Sequence, residues 1–144
     1  MDKQIILKKL KEKGLRTTPQ RIILFHKLMQ MHGHIKAEDL YNAVKEDIPS
    51  ISISTVYRTL REFEENGFIY SLPSSVYYGL TIFDTNLDPH HHFICKSCDQ
   101  IFDIPEDGVD IKLKNVKGEI ELKTVVIKGV CESCTKRKKA SSKF

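Results

Sequence analysis

Residues 52–67, SISTVYRTLREFEENG, decide the architecture of the N-terminal half. Ser52 stands ahead of an apolar series at Ile53, Val56, Leu60 and Phe63, which reads as an N-cap followed by one buried stripe. Ser54, Thr55, Tyr57, Arg58 and Arg61 fall on the opposite, polar face. Gly67 closes the helix. Beyond it, residues 68–72 and 76–83 alternate around Pro73, Ser74 and Ser75 as a hairpin.

Upstream, Ile5, Ile6 and Leu10 predict a short amphipathic helix that Gly14 stops, because glycine tolerates the left-handed conformation at a helix end. Thr18 caps a second helix and Pro19 fits its first turn, where a missing N–H costs nothing. Ile22, Ile23, Phe25, Leu28 and Met29 supply its buried face, and Gly33 ends it. A third helix is expected over 37–46 with Leu40, Tyr41 and Val44 facing inward, poorly capped because Lys36 stands where a hydroxyl would help. Packed helices with an arginine-bearing last helix and a trailing hairpin describe a winged helix. In helix-turn-helix proteins the second helix of the pair enters the major groove, which makes Arg58 and Arg61 candidates for guanine or phosphate, and Tyr57 for phosphate or a thymine methyl.

The C-terminal part carries different chemistry. Cys95/Cys98 and Cys131/Cys134 are two Cys-x-x-Cys pairs. A disulfide framework would suit a secreted chain, yet no charged segment leads into a short apolar run, and no apolar run approaches the ~18 residues of a membrane span. A reducing cytoplasm with no membrane association is expected, and there four thiolates at this spacing suit a closed tetrahedral Zn²⁺ site. Asp84, His90, His91, His92 and Asp103 crowd the first pair. Imidazole and carboxylate together suit a divalent ion that can come and go. Odd spacing places His90 and His92 on one side of an extended strand and His91 on the other. His26 and His32 read as surface residues.

With 144 residues and 40% hydrophobic content, two small domains are expected. An α+β fold class is expected: a winged helix over 1–82, a hinge over 83–89 marked by Asn86, Asp88 and Pro89, and a small zinc-stabilised α/β module over 90–144. A brief helix over 109–117 and a strand over 120–128 are expected within the latter. Lys136, Arg137, Lys138 and Lys139 form a basic tail that reads as a solvated, disordered end. The formal net charge of +4 falls by about 2 when four thiolates hold one Zn²⁺.

These segments together resemble the ferric uptake regulator family, whose members sense iron, peroxide, zinc, manganese or nickel. The resemblance is carried by Gly14-Leu15-Arg16-Thr17-Thr18-Pro19-Gln20-Arg21, by Ser52-Ile53-Ser54-Thr55-Val56-Tyr57-Arg58-Thr59-Leu60, by the histidine cluster running into Cys95, and by the second cysteine pair. It implies a homodimeric, metal-responsive repressor of double-stranded DNA at AT-rich inverted repeats, with residues 1–82 as the DNA-binding domain and residues 90–144 as the dimerisation domain. It implies a structural Zn²⁺ on Cys95, Cys98, Cys131 and Cys134, and a regulatory Fe²⁺, Mn²⁺ or Zn²⁺ on His34, Asp84, His90, His92 and Asp103. DNA contacts fall to Arg16, Ser54, Thr55, Tyr57, Arg58 and Arg61. Aspartate rather than glutamate at Asp103 looks like the peroxide-sensing branch, in which ligands matching His34 and His90 are oxidised; iron or zinc uptake regulation is the alternative. Lys123 and Pro89 replace histidines of many relatives, so the further metal site of some members is not expected.

Two rival classes account for less. A metallohydrolase would use the His/Asp set to activate water, but the chain has no His-Glu-x-x-His helix, nucleophile elbow or Gly-rich phosphate loop. A zinc-ribbon RNA-binding protein would use the cysteines and the basic run while leaving Asp84, His90 and His92 without a purpose.

Overall fold

The computed structural model describes residues 2–141, and the chain divides into two compact units, with the boundary between Leu87 and Asp88. The first unit contains α1 (Lys3–Glu12), α2 (Pro19–Met31), β1 (His34–Ile35), α3 (Ala37–Val44), α4 (Ile53–Glu65), β2 (Tyr70–Leu72) and β3 (Ile82–Asp84). Its antiparallel strands lie in the order β1-β3-β2.

Local chemistry explains the helix ends. The Thr18 hydroxyl accepts from the Arg21 N–H at 3.2 Å, with Pro19 in the first turn, and the Ser52 hydroxyl accepts from the Thr55 N–H at 3.2 Å. These caps satisfy donors that no helical carbonyl can reach. Gly14 and Gly67 take φ of +75° and +77° after α1 and α4, a region that costs other residues more. The start of α3 departs from expectation. Although Lys36 offers no capping oxygen, the Asp39 carboxylate reaches back and accepts from the Lys36 N–H at 3.0 Å. The third residue of the helix does the capping, a pattern that reading Lys36 alone does not reveal.

The helices close around Leu10, Leu24, Phe25, Leu28, Leu40, Val44, Val56, Leu60 and Phe63, all buried. At its centre Phe25 meets Phe63 edge-to-face with centroids 5.3 Å apart, and Phe68 meets Phe25 at 5.1 Å and Phe63 at 6.2 Å. Such edge-to-face pairs align ring edges with the negative faces of their neighbours. The hairpin after α4 is shorter than its alternation suggests. A 3-10 turn, Ser74–Val76, and the loop behind it separate β2 from β3, because Tyr78 and Gly79 both adopt positive φ and break the extended run. Asp84 belongs to β3, where the sequence places the start of a hinge.

The second unit has β4 (His90–Cys95), β5 (Ile101–Pro105), β6 (Val126–Gly129) and α5 (Glu132–Ser141). β4 is central, antiparallel to β5 and parallel to β6. Three expectations change here. Residues 109–117 form no helix: β-branched residues and Asn115, at φ +60°, give low propensity, and a segment this short needs packing to be helical. Only the end of the expected 120–128 strand pairs, as β6; the alternating Ile120 and Leu122 stay exposed without a neighbouring strand among the described residues. The basic run is helical rather than disordered, since α5 starts at Glu132 and carries Cys134, which anchors it to the thiol cluster. Lys136 also pairs with Glu132 one turn away at 3.1 Å. Residues 142–144 lie outside the described residues.

Truncating Phe63 to Ala removes the ring shared by both neighbouring pairs from a fully buried position. Unfolding of the first unit in denaturant should then lose about 3–5 kcal/mol.

Candidate functional site

The four cysteines come together although two of them are 36 residues from their partners. Their sulfurs all lie within 4.8 Å of one another, with Cys98 Sγ 3.9 Å from Cys131 Sγ; a tetrahedron with Zn–S bonds of about 2.3 Å has edges of about 3.8 Å. The parallel pairing of Cys95 with Gly129 brings the second pair to the first. Cys95 Sγ accepts from the backbone N–H groups of Ser97, Cys98 and Cys131 at 3.3–3.4 Å. The Cys131 N–H is the leading reason that Cys95 is lowered to about 6, and the other two add to it. Cys98 receives the Gln100 N–H, which favours its thiolate, yet burial and the neighbouring thiols of Cys95, Cys134 and Cys131 outweigh that and push it up to about 11. Zn²⁺ fits both the donors and the spacing of this set. Arg137 Nη2 donates to Cys134 Sγ at 3.5 Å, a cation beside what would be a doubly negative zinc tetrathiolate.

The other predicted ligands fall into two groups, one per unit. In the first unit, His34 and Tyr70 are both directly opposite Asp84 across the β1-β3-β2 sheet. Three adjacent strands thus present one row. His34 Nε2 is 3.2 Å from Asp84 Oδ2, the Tyr70 hydroxyl donates to that oxygen at 3.0 Å, and the Asn86 N–H donates to Oδ1 at 2.9 Å. Asp84 is wholly buried, and such a carboxylate needs this many donors to offset lost hydration. Tyr70 is absent from the sequence prediction. It reads there as an ordinary alternating strand residue, and only the cross-strand register reveals it.

In the second unit, the ligand atoms of His90, His92 and Asp103 lie within 4.8 Å of one another. Cross-strand pairing of His92 with Asp103 on β4 and β5 provides the proximity. His90 Nδ1 sits 2.6 Å from the Asp88 carbonyl, which assigns the proton to Nδ1 and turns Nε2 toward Asp103 Oδ1 at 3.4 Å. His92 Nδ1 lies 3.4 Å from Thr124 Oγ1. Fixing one ring nitrogen so that the other can serve a cation is the usual arrangement around metal-binding histidines. His91 has a different task, as strand parity suggests. Its Nδ1 accepts from the Val125 N–H at 2.9 Å and ties the approach to β6.

The face of α4 opposite the core carries the expected polar residues. Ser54, Arg58 and Arg61 are exposed, while Thr55 and Tyr57 are half-buried. Spacings of three and four put Ser54, Tyr57, Arg58 and Arg61 on one surface. The Tyr57 hydroxyl donates to Glu38 at 3.4 Å, and burial, then the Glu38 charge, raises its phenol above the ordinary value. Arg16 is exposed just before α2. Of the histidines set aside, His32 is exposed and His26 half-buried.

Among the described residues no helix is long and apolar enough to cross a membrane. Residues 12–128 match the sequence model of the ferric uptake regulator family. The chain is 35% identical over 137 residues to the peroxide operon regulator of Bacillus subtilis, covering 91% of this chain and 92% of that one. It is 33% identical over 131 residues to the peroxide-responsive repressor PerR of Staphylococcus aureus, covering 87% and 86%. In structure it is similar to the ferric uptake regulator of Helicobacter pylori, with a TM-score of 0.70, 22% identity and coverage of 94% and 95%. PerR of Streptococcus pyogenes matches with a TM-score of 0.51, 23% identity and coverage of 92% and 92%. The winged helix, the thiol cluster and the His/Asp groups thus have one common context: the chain belongs to the ferric uptake regulator family of dimeric, DNA-binding, metal-dependent transcriptional repressors.

Proposed function

We propose that this repressor senses peroxide through a regulatory divalent ion held by His34, Asp84, His90, His92 and Asp103. The observation that carries the reading is the separation of donor chemistries: four thiols in one cluster, imidazoles and carboxylates in the others. The first kind suits Zn²⁺ kept for structure on Cys95, Cys98, Cys131 and Cys134, the second an exchangeable Fe²⁺ or Mn²⁺. His34 and Asp84 belong to the first unit, which carries α4, and the other three to the second unit. An ion that recruits both groups would couple its own binding to the arrangement of the recognition helices in a dimer. Moving such a two-state protein from almost all released to almost all bound takes about 5.5 kcal/mol of differential affinity, within reach of multidentate coordination.

Asp103 and the peroxide-responsive relatives support peroxide as the signal, ahead of iron or zinc uptake. When bound, Fe²⁺ supplies the electrons that cleave peroxide. His34 and His90 are the imidazoles whose oxidation would disable the site and release DNA. Ser54, Thr55, Tyr57, Arg58 and Arg61 on α4, with Arg16, are the proposed contacts to an AT-rich inverted repeat, and the protein works in the cytoplasm where that DNA lies. Phe102, Leu113, Val116, Ile120, Leu122 and Ile127 are large apolar residues exposed in the single chain. In the dimer they supply the apolar contact between second units.

Gel-shift titration against AT-rich inverted-repeat DNA should give retention that Mn²⁺ restores and chelator abolishes; retention indifferent to metal would sink the proposal. The His34→Ala variant should lose metal-dependent retention while keeping one zinc per chain by elemental analysis. Cys98→Ser should instead lose the zinc and the cooperative unfolding of the second unit, because structural zinc contributes about 10–16 kcal/mol in small zinc-dependent modules. Peroxide treatment of the Fe²⁺ form should add oxygen to the peptides containing His34 or His90, and leave the Mn²⁺ form unchanged by mass spectrometry. Unmodified peptides from the Fe²⁺ form would point to iron uptake control.

A further inference from the structure

Arg21 forms a three-way junction in the first unit that its place among helix residues does not suggest. Its Nη2 and Nε both donate to Glu62 Oε2 of α4, at 2.7 and 3.1 Å, and its Nη1 donates to the Arg16 carbonyl at 3.3 Å. One guanidinium therefore ties the irregular stretch before α2 to the last turn of α4, 41 residues away. The junction stands at a cleft of about 350 Å³ that Arg16 and Thr18 line from one side and Thr55 and Arg58 from the other.

Glu62 is the informative member. A carboxylate on a cleft that presents Arg16 and Arg58 works against any anion entering it, and a partly exposed ion pair adds little to folding, about 0.2–1 kcal/mol. Glu62 and Arg21 keep roughly a quarter of their side-chain surface exposed (27% and 22%). Neither electrostatic attraction for DNA nor stability accounts well for the acid. Its geometry does: with two N–H groups held on one oxygen, the planar fork is oriented so that the third donor meets the Arg16 carbonyl.

We propose that Arg21 and Glu62 are positioning residues for DNA binding: they fasten the Arg16 stretch to α4, so that Arg16 and Arg58 together receive one phosphate of the operator backbone in the cleft. The proposal rests on the reading of Arg16 and Arg58 as DNA contacts. Arg21 spends its donors inside the protein and adds no phosphate contact of its own. Glu62 acts through Arg21, and its contribution has the opposite sign to its charge.

That sign separates the proposal from bulk electrostatics. The protein, loaded with zinc and Mn²⁺, would be titrated by fluorescence anisotropy against the same AT-rich inverted-repeat duplex as in the gel-shift titration. Arg16→Ala should weaken binding and reduce the slope of log affinity against log salt by about 0.9 for each phosphate no longer neutralised. Glu62→Ala, although it removes a negative charge from the DNA-facing cleft, should weaken binding about tenfold, the scale of one charge-assisted hydrogen bond. In the Arg16→Ala background the same change should cost almost nothing. Glu62→Gln keeps an oxygen for Arg21 and should retain most of the affinity, and all variants should keep their Mn²⁺ affinity and thermal unfolding midpoint. Tighter binding by Glu62→Ala, or a full additive loss in the double variant, would overturn the positioning role while leaving Arg16 as a contact. Wild-type affinity and salt slope in Arg16→Ala would instead overturn the contact reading, and the positioning role with it.

Discussion

The second unit rests on its thiol cluster, because little else within the chain holds it. Among its described residues Ile94 is the one buried aliphatic side chain, accompanied by Cys95, Cys134 and the three histidines of β4. Burying one such side chain is worth about 1.5–3 kcal/mol, whereas fixing each residue's backbone costs about 1–2 kcal/mol. A three-stranded sheet and a helix cannot be held on those terms. On the proposed reading, zinc joining the β4–β5 turn to the start of α5 would supply the missing constraint, and burial of the exposed apolar residues in a dimer would add to it. The first unit has no such need: its aromatic cluster and capped helices hold it by ordinary packing.

This contrast bears on the proposed regulatory site. Asp84 and His34 are held by strand pairing on a well-packed domain, with Tyr70 and Asn86 fixing both carboxylate oxygens. His90, His92 and Asp103 are held by strands next to the thiol cluster, which Cys95 enters three residues beyond His92. In the proposed division of sites, zinc acts on sensing without taking part in it. It sets the strand on which two of the ligands ride, and its own ligands differ enough in softness to keep the two kinds of ion apart.

Much of this was legible in the sequence, for reasons that differ by element. Thr18, Ser52, Gly14 and Gly67 mark helix ends through local chemistry, and the Val56, Leu60 and Phe63 stripe declares its buried face by period. The thiol cluster was legible because soft donors at that spacing have few other uses. What the sequence concealed depends on partners far along the chain. Tyr70 opposite Asp84 requires strand register, and Arg21 on Glu62 requires helix packing. The capping of α3 by Asp39 required looking one turn inward from a lysine. Residues 109–125 misled in another way: their apolar and β-branched pattern fits a helix and a strand, but pattern alone does not make either without a surface to cover it. The basic run misled because its charges hid the anchoring of α5 through Cys134.

The six residues of β4 also say something about how this chain can change over time. His90 and His92 face one way, His91 the other, and Cys95 closes the strand in the thiol cluster. Because side chains alternate at every residue, inserting or deleting one position between His92 and Cys95 would invert the histidines relative to the cysteine. An apolar-for-apolar substitution could be tolerated there; a change of length could not. The loop from 109 to 123, ahead of the Thr124 and Val125 contacts to the histidines, carries no ligand of either set and is open to both. Lineages descended from such a chain should therefore keep the arithmetic of β4 fixed while the loop varies in length, so that the spacing itself, more than any single residue, is the heritable part of the sensor.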